Sequence, residues 1–405
     1  MRISCFQVTA GLLLATVCMI CCDVRASAQE RTPRPPNPPV HRNVSSPPNR
    51  ATKRGPSSQS SVSPNDRVEE AIDKGNQARD KANEALFNEE MDSDRRDAEM
   101  KKQYAEAEKQ YRRASLLAPR DPRAYDGLGN VYSDENRHND AIAAYQKALR
   151  LKPDWVEARV DLCRAYQVTE SYTAAIEECK TAIRLKPDYA EAHLALGDVY
   201  NSLHRYNEAI EEYKTVGAYD GHERLAHAYL NASRYPEAIE EWKRLISFNP
   251  SNPETHSWLG SVYEKAGRYN EAEGEYKAAI GLKDDWGPHL SLGKLYRDRG
   301  RYSEAIEEYK SAIRLGGNPS DTNKLLGFGY EQIGRYSDAI EAFKAAISAS
   351  TSQGEPASFR AESHYHLGIN YVMMNDKTRA TAEYEELKNL KSEYADKLLS
   401  EINKH

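Results

Sequence analysis

The stretch that decides the fold is Ala190–Lys214, AEAHLALGDVYNSLHRYNEAIEEYK. Leu194, Leu196, Gly197 and Tyr200 fall at helical spacing, with Asp198 and Asn201 between them. An apolar stripe therefore runs down a first amphipathic helix. Leu203 to Tyr206 makes a turn, and Asn207 offers a side-chain cap to a second helix. Ala209, Ile210 and Tyr213 line one face of that second helix. Gly197 and Ala209, one on each helix, let the backbones approach so that Leu196 and Tyr213 interlock. Two helices this short cannot bury their apolar faces alone, so the unit calls for repetition.

The repetition is present from Pro122 onward. Leu128-Gly129-x-x-Tyr132, then Ala141, Tyr145, Ala148 and Pro153, recur as Leu162-Cys163-x-x-Tyr166, Ala175, Cys179, Ala182 and Pro187. Further sets begin at Leu196-Gly197, Leu225-Ala226, Leu259-Gly260, Leu292-Gly293, Leu326-Gly327 and Leu367-Gly368. A shortened junction lies at 216–221, and an inserted loop is expected at about 350–358. Gly267-Arg268-Tyr269, Gly300-Arg301-Tyr302 and Gly334-Arg335-Tyr336 read as inter-helix turns with glycine in the left-handed region. Asn139, Asn270, Ser303 and Ser337 read as further caps of second helices, and Pro236 fits the start of one.

These landmarks resemble the tetratricopeptide repeat (TPR) family over roughly 122–387, with a degenerate copy before it. The resemblance implies an all-α fold, a right-handed superhelical solenoid of antiparallel helix pairs. It also implies a concave groove lined by first helices, of the kind that binds protein or peptide segments. The domain reading is a signal peptide at 1–28, a basic Pro/Ser-rich disordered linker at 29–66 and an irregular first helix pair at 67–121. Eight repeats at 122–387 and a capping helix at 388–405 complete it. A solenoid needs such a polar-faced cap for solubility. In the first pair, the charged run at 88–102 is read as lengthened helices or an excursion between them, with a short coiled coil as the alternative.

Composition sets outer bounds. Of 405 residues, 29% are charged, and Tyr (26) far outnumbers Phe (6), which suits large half-buried rings with wet hydroxyls. A net charge of −6 argues against a general nucleic-acid binder. Mean hydropathy is −0.81, and no second apolar run is long enough to span a bilayer once the leader is cleaved. The leader itself has Arg2, an apolar run from Ala10 to Cys22, and Ala26-Ser27-Ala28 as a cleavage signal. The expectation is export to a periplasmic or secreted location, with the mature chain starting at Gln29. Segment 29–66 has too few apolar residues to offset folding entropy and reads as a spacer.

No catalytic constellation stands out: there is no GxxxxGK[ST], HExxH or GxSxG pattern, and no cofactor or metal site is expected. His193, His256 and His364 share one place, three residues before a core leucine, and read as packing residues. Acidic pairs such as Glu211-Glu212 and Glu307-Glu308 read as solvated faces. Only Cys163 and Cys179 lie beyond the leader. Both occupy core-facing places, as two buried thiols or, in an oxidising compartment, a disulfide. Asn43 and Asn231 open glycosylation sequons.

Function therefore points to the groove. Its expected amino-terminal lining is Asp126, Asn130, Asp134, Arg164, Asp198, Asn201, Glu223 and His227, polar and leaning acidic. Its carboxy-terminal lining is Lys294, Arg297, Lys324, Phe328, Tyr365, Ile369 and Met373, basic and then apolar. Ile369 and Met373 read equally as packing under the last helix. The chaperone-tail-binding TPR proteins use a basic and asparagine carboxylate clamp; Asn130 matches one element, but Asp126 stands where a lysine is needed. The expected function is a non-enzymatic protein-interaction scaffold with a protein or peptide partner. The alternatives are a self-associating envelope protein, a homo-oligomer, or an accessory region of an enzyme complex.

Overall fold

Ring-bearing residues on second helices lie over glycines on first helices, and this contact recurs along the chain. A Cβ on Gly197 would overlap the Tyr213 ring, one on Gly260 would come within 2.8 Å of Tyr276, one on Gly293 within 2.6 Å of Tyr309 and one on Gly327 within 2.8 Å of Phe343. The sequence-based expectation was close approach of backbones; what the small residue actually accommodates is the partner's ring.

The computed structural model describes residues 63–88 and 91–404. The leader at 1–28, the Asn43 sequon and nearly all of the spacer lie outside the described residues. Among the described residues there are nineteen helices and no strand, so the fold is all-α. They fall into two compact units, one ending at Glu135 and one running from Asn136.

The first unit contains α1 (Pro64–Leu86), α2 (Ser93–Leu117) and α3 (Pro122–Asp134). Helix α1 begins at Pro64 rather than after residue 66. The Ser63 hydroxyl accepts from the Asp66 amide at 3.1 Å while the Asp66 carboxylate accepts from the Ser63 amide, a reciprocal cap with proline just inside the helix. Most of the charged run becomes the opening turns of α2, whose amino end is capped by Asp92. Tyr111 of α2 packs over both Gly75 and Gly127, and its hydroxyl donates to Asn76 at 2.7 Å. Burial pushes the Tyr111 phenol up to about 12.

The second unit opens with α4 (His138–Leu151), followed by alternating first and second helices. These are α5 (Val156–Val168), α6 (Tyr172–Leu185), α7 (Ala190–Ser202), α8 (Tyr206–Lys214), α9 (Tyr219–Asn231) and α10 (Tyr235–Phe248). Then come α11 (Pro253–Lys265), α12 (Tyr269–Leu282), α13 (Trp286–Asp298), α14 (Tyr302–Arg314), α15 (Pro319–Gln332) and α16 (Tyr336–Ser352). Helices α17 (Ala357–Met373), α18 (Lys377–Asn389) and α19 (Tyr394–Lys404) end the described chain. One apolar cluster runs from Val160 to Ile402 through this unit, with Trp242, Tyr213, Tyr309 and Phe343 among its fully buried large side chains. In the last pair, Leu398 of α19, not Tyr384, lies against Gly368. The closing helix thus supplies the apolar side chain that a further repeat would otherwise provide.

Three local expectations are corrected. Second helices start two residues earlier than those caps imply, so Asn139, Asn207, Asn270, Ser303 and Ser337 lie inside their helices and do not cap them. The cap places of α8, α10, α12, α14 and α16 are Arg205, Arg234, Arg268, Arg301 and Arg335, with no side-chain cap bond. Each guanidinium instead lies 4.1–4.7 Å from the ring of the tyrosine five residues back (Tyr200, Tyr229, Tyr263, Tyr296, Tyr330). Each also pairs with the acid three residues on: Glu208, Glu237, Glu271, Glu304 and Asp338. Arginine at this place ties the end of one helix to the start of the next by a cation–π contact and an ion pair. The third correction is the loop expected at 350–358. Helix α16 continues to Ser352, and Gly354 (φ 67°) makes the turn, leaving four residues before α17.

The remaining turns follow backbone sterics. Gly267, Gly300 and Gly334 have φ of 75°, 71° and 73°, while Glu170, His204 and Ser233 hold the same left-handed place without glycine.

Cys163 and Cys179 are joined as a disulfide between α5 and α6, with Cα atoms 5.6 Å apart and both side chains fully buried. They stand where neighbouring pairs have glycine and tyrosine, so a covalent bridge replaces the ring-on-glycine contact in this pair alone.

Two outcomes are expected. Ala238 is fully buried on α10, so the three extra carbons of Ala238→Leu should overpack the helix crossing and cost about 1–3 kcal/mol, read as a lower midpoint in thermal or urea unfolding. Replacing both cysteines by alanine should cost about 2–4 kcal/mol. The pair Cys163→Gly with Cys179→Tyr should recover much of that loss by restoring the packing of its neighbours; no recovery would show that the bridge has no packing equivalent.

Candidate interaction groove

In the second unit, first helices approach one another across repeats. Helix α5 touches α7, and α11 touches α13. Side-chain bonds join first helices directly: Gln167 donates to Ser202 (3.0 Å), Arg224 to Asp198 (2.9 Å), Asn231 to Asn201 (3.3 Å), Lys324 to Glu362 (3.0 Å) and Asn370 to Glu331 (2.9 Å). These bonds link first helices in two stretches, α5 to α9 and α15 to α17, and the expected groove residues of this unit all lie on first helices.

Their surroundings differ. Asp198 accepts from both Arg224 and the Tyr213 hydroxyl (2.7 Å), which gives it a structural role besides any outward one. Arg164 pairs with Asp161 at 3.3 Å, and Asn201 accepts from Asn231. Glu223 is half-buried on α9. His227 meets two tryptophans edge-on, Trp242 at 5.0 Å and Trp258 at 4.6 Å. Arg297 pairs with its neighbour Asp298 at 2.8 Å, and Lys294 is exposed. Lys324 lies 3.9 Å from the Phe359 ring and pairs with Glu362. Phe328 packs against Phe343 and His366, Tyr365 stacks on Tyr394 of α19, Ile369 is half-buried, and Met373 is 48% exposed. Phe328, Tyr365 and Ile369 thus mostly serve the core and cap, whereas Met373 faces solvent.

Asp126, Asn130 and Asp134 belong to the first unit, all on α3. Asn130 donates to Asp126 at 3.3 Å, and Arg79 of α1 donates to Asp134 at 2.6 Å, neutralising it.

The largest feature missed from sequence is Trp258. It is 42% exposed and stacks at 5.8 Å, nearly parallel, on Trp242, which is 1% exposed. The available signal was a lone tryptophan immediately before the Leu259 landmark, a place filled by Asp161, Ala195 or Ser291 elsewhere.

The histidines are a second correction. His193, His256 and His364, expected as packing residues, each place Nδ1 2.6–2.7 Å from the glutamate nineteen residues on: Glu212, Glu275 and Glu383. His222 with Glu241 (2.7 Å) and His289 with Glu308 (2.5 Å) repeat the pattern. Arg159 occupies the same place one repeat earlier, donating to Glu178 (2.5 Å) and to the Pro153 carbonyl (3.1 Å). The Nε2 atoms of His193 and His256 face the corresponding Pro187 and Pro250 carbonyls. The partner glutamate sits on the other helix of the pair, so the contact is not visible in either helix's own periodicity.

Glu273 on α12 joins two repeats. Burial alone would push its carboxyl up, but hydrogen bonds from Arg301, Lys277 and the Tyr296 hydroxyl outweigh this and hold it at about 2.

Family models of the tetratricopeptide repeat match residues 122–154 and 253–285 and, as a longer TPR unit, 290–354; a further TPR repeat model matches 169–204 and 226–267. The chain therefore carries tetratricopeptide repeats. Among curated proteins none matches it. Solved structures that it resembles include a tetratricopeptide repeat protein from Parabacteroides merdae (18% identity, TM-score 0.46, covering 65% of this chain and 98% of that one). Another is the carboxy-terminal part of a TPR repeat-containing protein from Cytophaga hutchinsonii (15% identity, TM-score 0.51, 59% and 99% covered). At this identity the second likeness bears on fold alone.

Because the Glu273 carboxyl is depressed, its contribution is present above the usual carboxylate range and is lost as pH falls from about 4.5 toward about 2. Glu273→Gln should lower stability at neutral pH and flatten the stability profile across that window, as measured by urea unfolding at several pH values. A variant with the wild-type pH slope would contradict the junction role.

Proposed function

We propose that this chain is an exported, non-enzymatic scaffold that binds an extended protein segment along the first-helix face of its second unit. Trp258 carries the reading: a large ring that is 42% exposed, held rigid by stacking on a buried tryptophan. Rigid, half-exposed aromatics are the side chains that most often dominate protein interfaces, because they bury much area for little lost entropy. The polar face around it offers hydrogen-bond partners for a bound backbone.

Export rests on the leader motif and fits the Cys163–Cys179 bridge, since disulfides persist in oxidising compartments. Among the described residues no helix is long and apolar enough to cross a membrane. In this reading the spacer at 29–66 sets the binding unit away from the site of export.

The test is cross-linking capture by the mature chain in its native host, with a Trp258→Ala variant alongside. A specific partner should bind wild type and lose at least about 2 kcal/mol, roughly 30-fold in Kd, with the variant. A partner that binds both equally would place the interaction elsewhere. Amino-terminal sequencing of the exported chain should begin at Gln29; an intact Met1 start on the cytosolic side would remove export.

A further inference from the structure

Resting on the groove reading above, we propose that the stretch of the groove at α13 takes a carboxylate side chain of an acidic partner segment, bound by Tyr309, Lys294 and Arg297. The argument starts from an acceptor present in two repeats and missing in a third. Tyr213 passes its ring under Gly197 and donates its hydroxyl to Asp198, one residue after that glycine. Tyr276 passes under Gly260 and donates to Glu264 (2.8 Å), four residues after its glycine. In both cases the hydroxyl of a buried ring emerges beneath the first-helix face and meets a carboxylate.

Tyr309 repeats the geometry under Gly293. Its side chain is fully buried, and its hydroxyl has no hydrogen-bond partner. The places one and four residues after Gly293 are Lys294 and Arg297, both donors. By this register the Tyr309 hydroxyl lies under the stretch of α13 that carries Lys294 and Arg297, and Arg297 and Asp298 are the charges that act on it. Burial pushes the Tyr309 phenol up, so it stays a donor. A buried hydroxyl without an acceptor is unfavourable, and an incoming acceptor removes that penalty.

The surrounding charges decide what that acceptor is. Lys294 is exposed, makes no ion pair among the described residues, and feels Glu264 only across space. Arg297 uses Nε and Nη2 on a single Asp298 oxygen, so its Nη1 edge stays open. The opposing acids are Asp298 and Glu264. Glu264 already accepts from Tyr276, and burial pushes its carboxyl up, which weakens its claim on Lys294. A carboxylate satisfies all three donors with charge-assisted bonds, whereas a neutral carbonyl leaves the cations unmatched. The flanking first helix α11 presents the Trp258 ring, which is 42% exposed. The fitting partner motif is therefore an acidic residue with apolar or aromatic neighbours.

The test pans a phage-displayed random heptapeptide library on the mature chain and on a Lys294→Glu/Arg297→Glu double variant. Enrichment of Asp and Glu with wild type, lost or inverted to Lys and Arg with the double variant, is the expected result. Enriched peptides without acidic bias would overturn this inference and leave the groove reading standing. No enrichment at all would overturn both. A selected acidic peptide, labelled and titrated by fluorescence polarisation, should then bind Tyr309→Phe roughly 10-fold or more weakly. The same variant should be as stable as wild type or more so in thermal unfolding. Unchanged peptide affinity with Tyr309→Phe would remove the hydroxyl from the site and overturn the proposal. By contrast Tyr213→Phe, which loses a satisfied bond, should lower stability.

Discussion

The contact on which the rest depends is the seating of a second-helix ring on a first-helix glycine. Gly197 with Tyr213, Gly260 with Tyr276, Gly293 with Tyr309 and Gly327 with Phe343 are one device used repeatedly. It needs no long-range closure, because ring and glycine belong to helices adjacent in sequence. Each pair then offers its outer apolar surface to the next, so stability accumulates by nearest-neighbour terms. The departures keep the logic. Cysteines bridge α5 to α6 covalently, Ala226 and Trp242 stand at the glycine and ring places of α9 and α10, and Leu398 of α19 closes the series at Gly368. In the first unit one tyrosine, Tyr111, covers two glycines.

Polar bonds position what the apolar contacts hold together. The arginine at the start of α8, α10, α12, α14 and α16 fixes the turn through a ring and an acid in the same pair. Before six of the leucine landmarks a histidine or arginine ties the first helix to the glutamate on its second helix, and Arg159, His193 and His256 also reach the carbonyl of Pro153, Pro187 or Pro250. Both sets are short and recurrent, so each helix is oriented as well as packed. The exposed arginine–acid pairs contribute little singly, whereas the histidine–glutamate pairs lie partly buried, which raises their weight. The orientation matters for function, because first-helix residues such as Trp258 and Lys294 are presented at fixed intervals.

The proposed interaction face would owe its character to side chains that the framework does not consume. Asp198, Asn201 and Lys324 take part in cross-repeat bonding, and Phe328, Tyr365 and Ile369 are drawn into the core or cap. What remains to face a partner is a smaller set: Trp258, Lys294, the open edge of Arg297, and Met373. The exposed tryptophan supplies apolar area and the α13 cations supply charge selectivity, two contributions that differ in their response to salt.

Sequence alone determined the helix pairs and their order. The Leu-Gly-x-x-Tyr and Ala-x-x-x-Tyr landmarks encode local, 3.6-residue periodicity and small-to-large complementarity between neighbours, both readable without coordinates. Helix ends were less legible, since Asn207 or Ser303 can cap on propensity alone, whereas the helices start two residues earlier, with Arg205 or Arg301 at the cap place stacked on a tyrosine. The extra helical turns through Ala349 to Ser352 were also hidden behind polar composition. Only the tertiary structure decided the pairing of His193 with Glu212, the stacking of Trp258 on Trp242, and the absence of an acceptor for Tyr309. Each depends on which side chain of another helix arrives opposite, and that is set by how the ring-on-glycine contacts bring the helices together, not by the period of either helix.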